Sequence, residues 1–254
     1  EEVARIVSDR HFGVGSDGLI LICPSDRADF EMRMFNADGS EGKMCGNAIR
    51  CVGKYVYDRG FTDRKTLQID TRSGVKTLEL TLDDGKVSTV RVDMGRASLR
   101  ARDIPVETDY DDFVSQPMLV HGEVFLVTCV SMGNPHAVIF CDDVEDLPLE
   151  DIGPLFENHE KFPDRINTEF IELVDRQTLK MRVWERGSGE TFACGTGACA
   201  AVVAAVVNGH CDAGDEVTVR LRGGELKITC REDFTVLMEG PAAHVFDGVM
   251  EIDL

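Results

Sequence analysis

Residues 32–47, MRMFNADGSEGKMCGN, lie without a gap over residues 181–196, MRVWERGSGETFACGT, at one constant offset of 149 positions. The overlay pairs Met32 with Met181, Arg33 with Arg182, Glu41 with Glu190, Cys45 with Cys194 and Gly46 with Gly195, and it carries on to Gly60 over Gly209. Both copies share one layout: an alternating strand, a polar glycine-rich loop, Cys-Gly, then a long segment closed by glycine. Self-similarity at a fixed offset marks a duplicated structural unit and governs how every local signal is read.

The duplication extends outward. Downstream, residues 65–95 and 215–240 each read as three strands of β-rich residues joined by glycine-containing turns, with Gly74 over Gly223. Upstream, LILI after Gly18 falls over TEFIEL after Asn167. In each copy the segment after Cys-Gly is the long helix candidate. GTGACAAVVAAVVNG (195–209) is apolar on every side, so other structure must enclose it. NAIRCVGKYVYDRG (47–60) is similar but carries Arg50, Lys54 and Arg59. The expected fold is α+β: two pseudo-symmetric lobes, each a curved, mostly antiparallel sheet wrapped around a central helix. The lobes are expected at 1–112 and 113–254, and the acidic stretch from Ala97 to Met118, with Pro105 and Pro117, reads as their linker.

Composition narrows the partners. The 254 residues include 46 Asp+Glu against 27 Lys+Arg, a formal charge of −19 that repels phosphate backbones and anionic membranes. Neither nucleic acid nor a membrane is expected as a partner. No apolar run approaches the ~20 residues of a spanning helix, and EEVARIVSDR lacks the basic-then-apolar pattern of a signal peptide. A soluble, cytoplasmic protein is expected. Nine cysteines, an odd number without a C-x-x-C pattern, suggest reduced thiols rather than a disulfide framework or a metal site.

Two of those thiols stand out. Cys45 and Cys194 each begin a predicted helix, where free N–H groups and the helix dipole favour negative charge and lower a thiol pKa. Equivalent positions of a pseudo-twofold repeat are expected to face each other across the cleft between lobes. The same N–H groups suit a carboxylate, and two helix starts aimed at one carboxylate would stabilise the dianion formed when an amino acid loses its α-proton. No cofactor motif is evident, so that stabilisation is expected to be electrostatic, in a closed site. A base on one face and an acid on the other would invert the centre.

RHFGVGSDGLILI (10–22), FNADGSEGKMCGNAIRC (35–51), GNPHAVIF (133–140), RINTEFIEL (165–173) and WERGSGETFACGTGACA (184–200) carry a family likeness. In this order they resemble the signature segments of diaminopimelate epimerases, cofactor-independent enzymes of lysine and cell-wall precursor synthesis. The resemblance implies that Cys45 and Cys194 are the acid/base thiols interconverting LL- and meso-diaminopimelate, with no cofactor and no metal. It implies that Gly46, Asn47, Gly195 and Thr196 hold the reacting α-carboxylate through backbone donors. Asn36, Asn134, Asn167 and Arg186 match polar substrate contacts, with Arg186 suited to the distal carboxylate. Glu185 and His136 match groups placed near the thiols, where they bind the ammonium group or adjust thiol protonation. The partner implied is a small molecule, and a homodimer is left open.

Two departures accompany the likeness. The family opens with a strand and a Gly-Asn-Asp-Phe loop, and the repeat puts the counterpart of Asn134 upstream of Glu1, so an N-terminally shortened form is expected. Gly18 overlies Asn167, where some relatives carry an amide. The competing readings are a proline or hydroxyproline racemase, for which Asn36, Asn167, Glu185 and Arg186 are too polar, a thiol redox sensor closing Cys45 onto Cys194, and a non-catalytic amino-acid-binding module. A phenazine-biosynthesis-type isomerase is disfavoured because those relatives lack the cysteine pair. Cys51, Cys199 and Trp184 are expected to be packing residues, and Asp109–Asp112 a solvated stretch.

Overall fold

The repeat in the sequence becomes a repeat in hydrogen bonding. The computed structural model describes residues 1–252. Its contacts divide the chain into one unit of Glu1–Val92 with the segment from Pro241 onward, and a second of Asp93–Gly240.

The first unit contains α1 (Glu2–Ser8), β1 (Gly18–Cys23), β2 (Phe30–Asn36), β3 (Glu41–Gly42), α2 (Gly46–Asp58), β4 (Thr66–Asp70), β5 (Lys76–Asp83) and β6 (Lys86–Arg96), which runs on past Val92. Its sheet order is β1-β2-β4-β5-β6, antiparallel except for β2–β4, with β3 paired to β2. Alternation sets which face is buried. In β4 and β5 the apolar positions Leu67, Ile69, Leu78 and Leu80 are buried while Thr66, Gln68, Glu79 and Thr81 are exposed. The β5–β6 turn, Asp84-Gly85, places both residues at positive φ, the geometry that a two-residue hairpin needs. Helix α2 is amphipathic: Ile49, Val52 and Val56 are buried, and a Cβ on Gly53 would lie 2.9 Å from Leu78 Cδ2, so glycine permits the close approach. Cys51 and Tyr55, one turn apart, share the outer face, so Cys51 is exposed and not the packing residue expected from the sequence.

The second unit contains a 3₁₀ turn (Ala101–Asp103), β7 (Gln116–Val120), β8 (Glu123–Ser131), β9 (Pro135–Cys141), α3 (Leu149–Glu157), β10 (Asn167–Asp175), β11 (Thr178–Glu185), β12 (Gly189–Thr191), α4 (Gly195–Val207), β13 (Glu216–Leu221), β14 (Gly224–Cys230) and β15 (Thr235–Pro241). Its sheet order is β15-β14-β13-β11-β10-β9-β8-β7, with β12 on β11; β9–β10 and β11–β13 are parallel and the other pairs antiparallel. Helix α4 packs on β8, β9, β10, β13 and β14 and buries every residue from Gly197 to Ala205, as its unbroken apolar sequence requires. Each wholly buried valine in it contributes roughly 1.5–3 kcal/mol.

The two units share register to the residue around the cysteines. Leu19 pairs with Phe35 as Thr168 pairs with Trp184, and Phe35 with Glu41 as Trp184 with Glu190. Both long helices begin at the glycine after the cysteine and run 13 residues. Beyond the helices the ungapped overlay fails. A loop at 71–75 joins β4 to β5, whereas only Arg222 and Gly223 join β13 to β14, so Gly74 and Gly223 occupy different turns.

The stretch expected to be a linker is largely structural. Ala101, Ile104, Val106, Phe113 and Met118 are buried with Val127, Ile139, Phe156 and Phe170 in the second unit's core, and the expected boundary at 112/113 falls inside that unit. Asp109–Asp112 is exposed, as its charge demands. Trp184 packs against the same core, and its Nε1–H donates to Glu157 Oε2 at 2.7 Å.

Candidate active site

In the first unit the expected residues gather at the end of β2 and the start of α2. Cys45 is the N-cap of α2, half-buried in extended conformation, and its carbonyl accepts the Ile49 N–H at 3.0 Å. Gly46 and Asn47 open the helix, where first-turn N–H groups have no partner within the helix. Asn47 Oδ1 is buried with no hydrogen-bond partner among the described residues. Asn36 closes β2 and donates from Nδ2 to Ser40 Oγ at 2.9 Å. Gly18 pairs with Asn36, and a Cβ there would lie 2.3 Å from the Phe35 carbonyl oxygen. The backbone therefore fills the space that the overlay on Asn167 would give to an amide.

The second unit repeats this layout with more groups attached. Cys194 is the N-cap of α4, 6% exposed, and its Sγ accepts the Gly197 N–H at 3.3 Å and lies 3.5 Å from Thr196 Oγ1. Thr196 Oγ1 accepts from Asn134 Nδ2 at 3.2 Å. Gly195 and Thr196 begin the helix as Gly46 and Asn47 do. On parallel strands, Asn167 lies in register with His136. Asn167 donates from Nδ2 to the Pro135 carbonyl at 2.8 Å and accepts the Arg186 N–H at 3.0 Å, tying β10 to the turn after β11. The Arg186 guanidinium donates to the Asp164 carbonyl, and Glu185 accepts from Thr191 Oγ1 at 2.5 Å.

The electrostatics of Cys194 differ from the expectation. Burial pushes its thiol well above the ordinary cysteine value, and the charges of Glu185 and Glu169 push in the same direction; the hydrogen bonds from Thr196 and Gly197 oppose them and lose. The first-turn donors do not offset loss of water around a sulfur whose neighbours are carboxylates. Cys194 rests as the proton-bearing thiol.

One ion-pair motif is duplicated with the cysteines. Glu41 meets Arg33 at 2.9 Å and Arg72 at 3.3 Å; Glu190 meets Arg182 at 2.8 Å and Arg222 at 2.9 Å. Each carboxylate sits on the short strand that leads into its cysteine. In the second copy Arg182 is buried while Arg222 stays exposed, and Arg182 also donates to the carbonyls of Val144, Glu145 and Leu147.

The diaminopimelate epimerase family model matches residues 1–100 and 128–245. This chain belongs to the diaminopimelate epimerase family. The diaminopimelate epimerase of Acetivibrio thermocellus is 59% identical over 254 residues, all of this chain and 89% of that protein. The one from Methanococcus maripaludis strain S2 is 55% identical over 99% of this chain and 90% of its own length. Among solved structures, a hydroxyproline epimerase from Agrobacterium vitis matches 93% of this chain and 75% of that one with a TM-score of 0.70 at 13% identity. A probable proline racemase from Agrobacterium radiobacter K84 matches 96% and 80%, also at 0.70 and with 14% identity. These structures share the epimerase fold, the pseudo-symmetric two-lobed α+β architecture that the duplication predicts.

Sequence reasoning passed over Glu169, although it stands in the quoted segment RINTEFIEL. It is fully buried on β10, and its Oε1 lies 2.7 Å from Nδ1 of the equally buried His136. The available signal was a carboxylate between Thr168 and Phe170 in the first half of the strand, all of which is buried, a costly placement without a partner.

Proposed function

We propose that this chain interconverts LL- and meso-diaminopimelate by moving one α-proton between two thiols, those of Cys45 and Cys194. The observation that carries the reading is the placement of the two cysteines. Each is the N-cap of its unit's long helix, at the same point of a duplicated motif, in a chain matched to this family through both copies.

In the forward direction one sulfur, as thiolate, takes the α-proton, and the other, as thiol, delivers a proton to the opposite face of the carbanion. A forward turnover leaves the first sulfur as thiol and the second as thiolate, the state from which the reverse reaction starts. One proton given to water by the first and one taken from water by the second restore the forward-ready pair, so atoms and charge balance. Free first-turn N–H groups of Gly46 and Asn47, and of Gly195 and Thr196, suit the α-carboxylate, on which negative charge accumulates as the proton leaves. The unpartnered Asn47 Oδ1 suits an ammonium donor. Asn36, Asn134, Asn167, Glu185 and Arg186 supply the polar contacts that a second amino-acid end requires, and His136 with Glu185 governs thiol protonation. The reaction proceeds without a cofactor, in the cytoplasm, on a small-molecule substrate of lysine and peptidoglycan precursor synthesis.

Reduced protein incubated with LL-diaminopimelate, with products resolved by chiral chromatography, tests the reading. Approach to an LL/meso mixture without added cofactor, and no racemisation of L-proline, is expected. Racemisation of proline with diaminopimelate untouched would overturn it.

A further inference from the structure

Among the described residues, four buried side-chain polar atoms have no hydrogen-bond partner, and two of them, His136 Nε2 and Glu169 Oε2, belong to one hydrogen-bonded pair. The pair joins β9 to β10, both packed on α4. Its other atoms point to the reason for keeping it. A Cβ added to Gly197 would lie 2.6 Å from Glu169 Oε1 and 3.3 Å from Cys194 Sγ, so the carboxyl and the sulfur flank one point in the first turn of the helix. A buried carboxyl with a bare oxygen is a poor structural element, and its retention calls for a task.

We propose that Glu169 is a positioning residue for the proton transfer: bonded to His136 Nδ1 and packed on Gly197, it orients the imidazole and sets the charge that the Cys194 sulfur meets. The carboxylate charge of Glu169, held against Gly197 by the bond to His136, lies beside the Cys194 sulfur and opposes ionisation of the thiol. The pair thereby sets how readily Cys194 gives up its proton.

The other groups around Cys194 do not duplicate this. Glu185 from β11 carries a second negative charge, hydrogen-bonded to Thr191, and Thr196 offers a hydroxyl. Among the strands packed on α4, β8 brings the buried Cys129 thiol and β14 the buried Cys230 thiol, while β13 buries Val217 and Val219. Burial, and after it the charge of Glu169, push the Cys129 thiol up.

The inference rests on the proposed epimerase reading for the reaction that the Cys194 thiol serves, and its test does not require turnover. Glu169→Gln keeps the shape and a hydrogen bond while removing the titration. Peptide-resolved iodoacetamide labelling of folded protein against pH should show the Cys194 midpoint falling by about one pH unit, with Cys45 unchanged. Where diaminopimelate turnover is measured, kcat should drop tenfold or more with KM within twofold, and Glu169→Asp should restore the shape of the pH profile. A folded Glu169→Gln protein with an unmoved Cys194 midpoint would overturn the proposal. In the wild-type protein, a carboxyl NMR titration should show Glu169 ionising above the ordinary carboxylate range, as its burial requires. Independent ionisation of Glu169 in the ordinary carboxylate range would overturn it as well. A shifted midpoint without epimerisation would sink the functional reading and leave this one standing.

Discussion

Replacing Arg182 with methionine removes a guanidinium that is 8% exposed and tied at five points. It forms a double contact with Glu190, at 2.8 and 3.0 Å, and donates to the carbonyls of Val144, Glu145 and Leu147 between 2.8 and 3.0 Å. Methionine fills much of the space and makes none of these bonds. Glu190, 14% exposed, is left with Arg222 alone, and three carbonyls each lose the guanidinium donor, that of Leu147 keeping the Leu149 N–H. Breaking a buried pair by deleting one partner costs about 3–5 kcal/mol. For a chain of this size each kcal/mol moves the melting midpoint by about 2–4 °C, so a fall of roughly 10 °C is expected. Arg33 occupies the same position in the first copy of the motif and bonds Glu41 at 2.9 Å, but it is 42% exposed. Water and salt already screen that pair. Arg33→Met should therefore leave the midpoint within error of wild type. Thermal unfolding followed by circular dichroism at two salt concentrations measures both. Equal shifts for the two variants, or an Arg182→Met protein as stable as wild type, would refute the argument that burial and not sequence identity sets the worth of this ion pair.

Three further outcomes follow from other contacts. Gly153→Ala puts a Cβ 2.4 Å from Trp184 Cδ2, so it should lower the melting midpoint and shift the emission of the chain's single tryptophan; unchanged fluorescence would show that the ring contact is not tight. Gly197→Ala drives a methyl into Glu169 Oε1 and the Cys194 side chain and should cut epimerisation at least tenfold, whereas Gly122→Ala, whose Cβ meets nothing within 4 Å but sits at positive φ, should cost only about 1 kcal/mol of stability. The Asp247 carboxyl, hydrogen-bonded by Arg59 and then His244, is held down at about 2. Because its folded value is depressed, its contribution is complete above the unfolded value of about 3.9 and is lost as pH falls through about 2. Arg59→Ala should raise the NMR midpoint of Asp247, and an unmoved midpoint would contradict the assigned cause.

The duplication made most of the architecture legible, because a strand, hairpin and helix repeated at one offset leave few alternatives for pairing. Both helices begin where Cys-Gly predicts, and the apolar run after Cys194 is enclosed as its composition requires. What the overlay missed was set by local chain length and by contacts distant in sequence. Two residues join β13 to β14 where a loop joins β4 to β5, and no ungapped comparison shows that difference. Ile104, Val106 and Phe113 read as scattered apolar positions in an acidic linker, yet they complete a core whose other members come from β7, β8, β9, β10, α3 and the loops around them. Cys194 illustrates the limit on chemistry. Its place at a helix start argues for an acidic thiol, but the burial and the carboxylates of Glu185 and Glu169 that reverse the direction are properties of the folded neighbourhood.

The most direct test of the two-thiol account is incorporation of deuterium at the α-carbon of diaminopimelate in D₂O, followed by NMR for the wild-type protein, Cys45→Ala and Cys194→Ala. The account predicts exchange with inversion in the wild type and no epimerisation in either single variant, since each lacks one of the two groups that must hold the proton. Epimerisation at a wild-type rate after loss of either cysteine would contradict it.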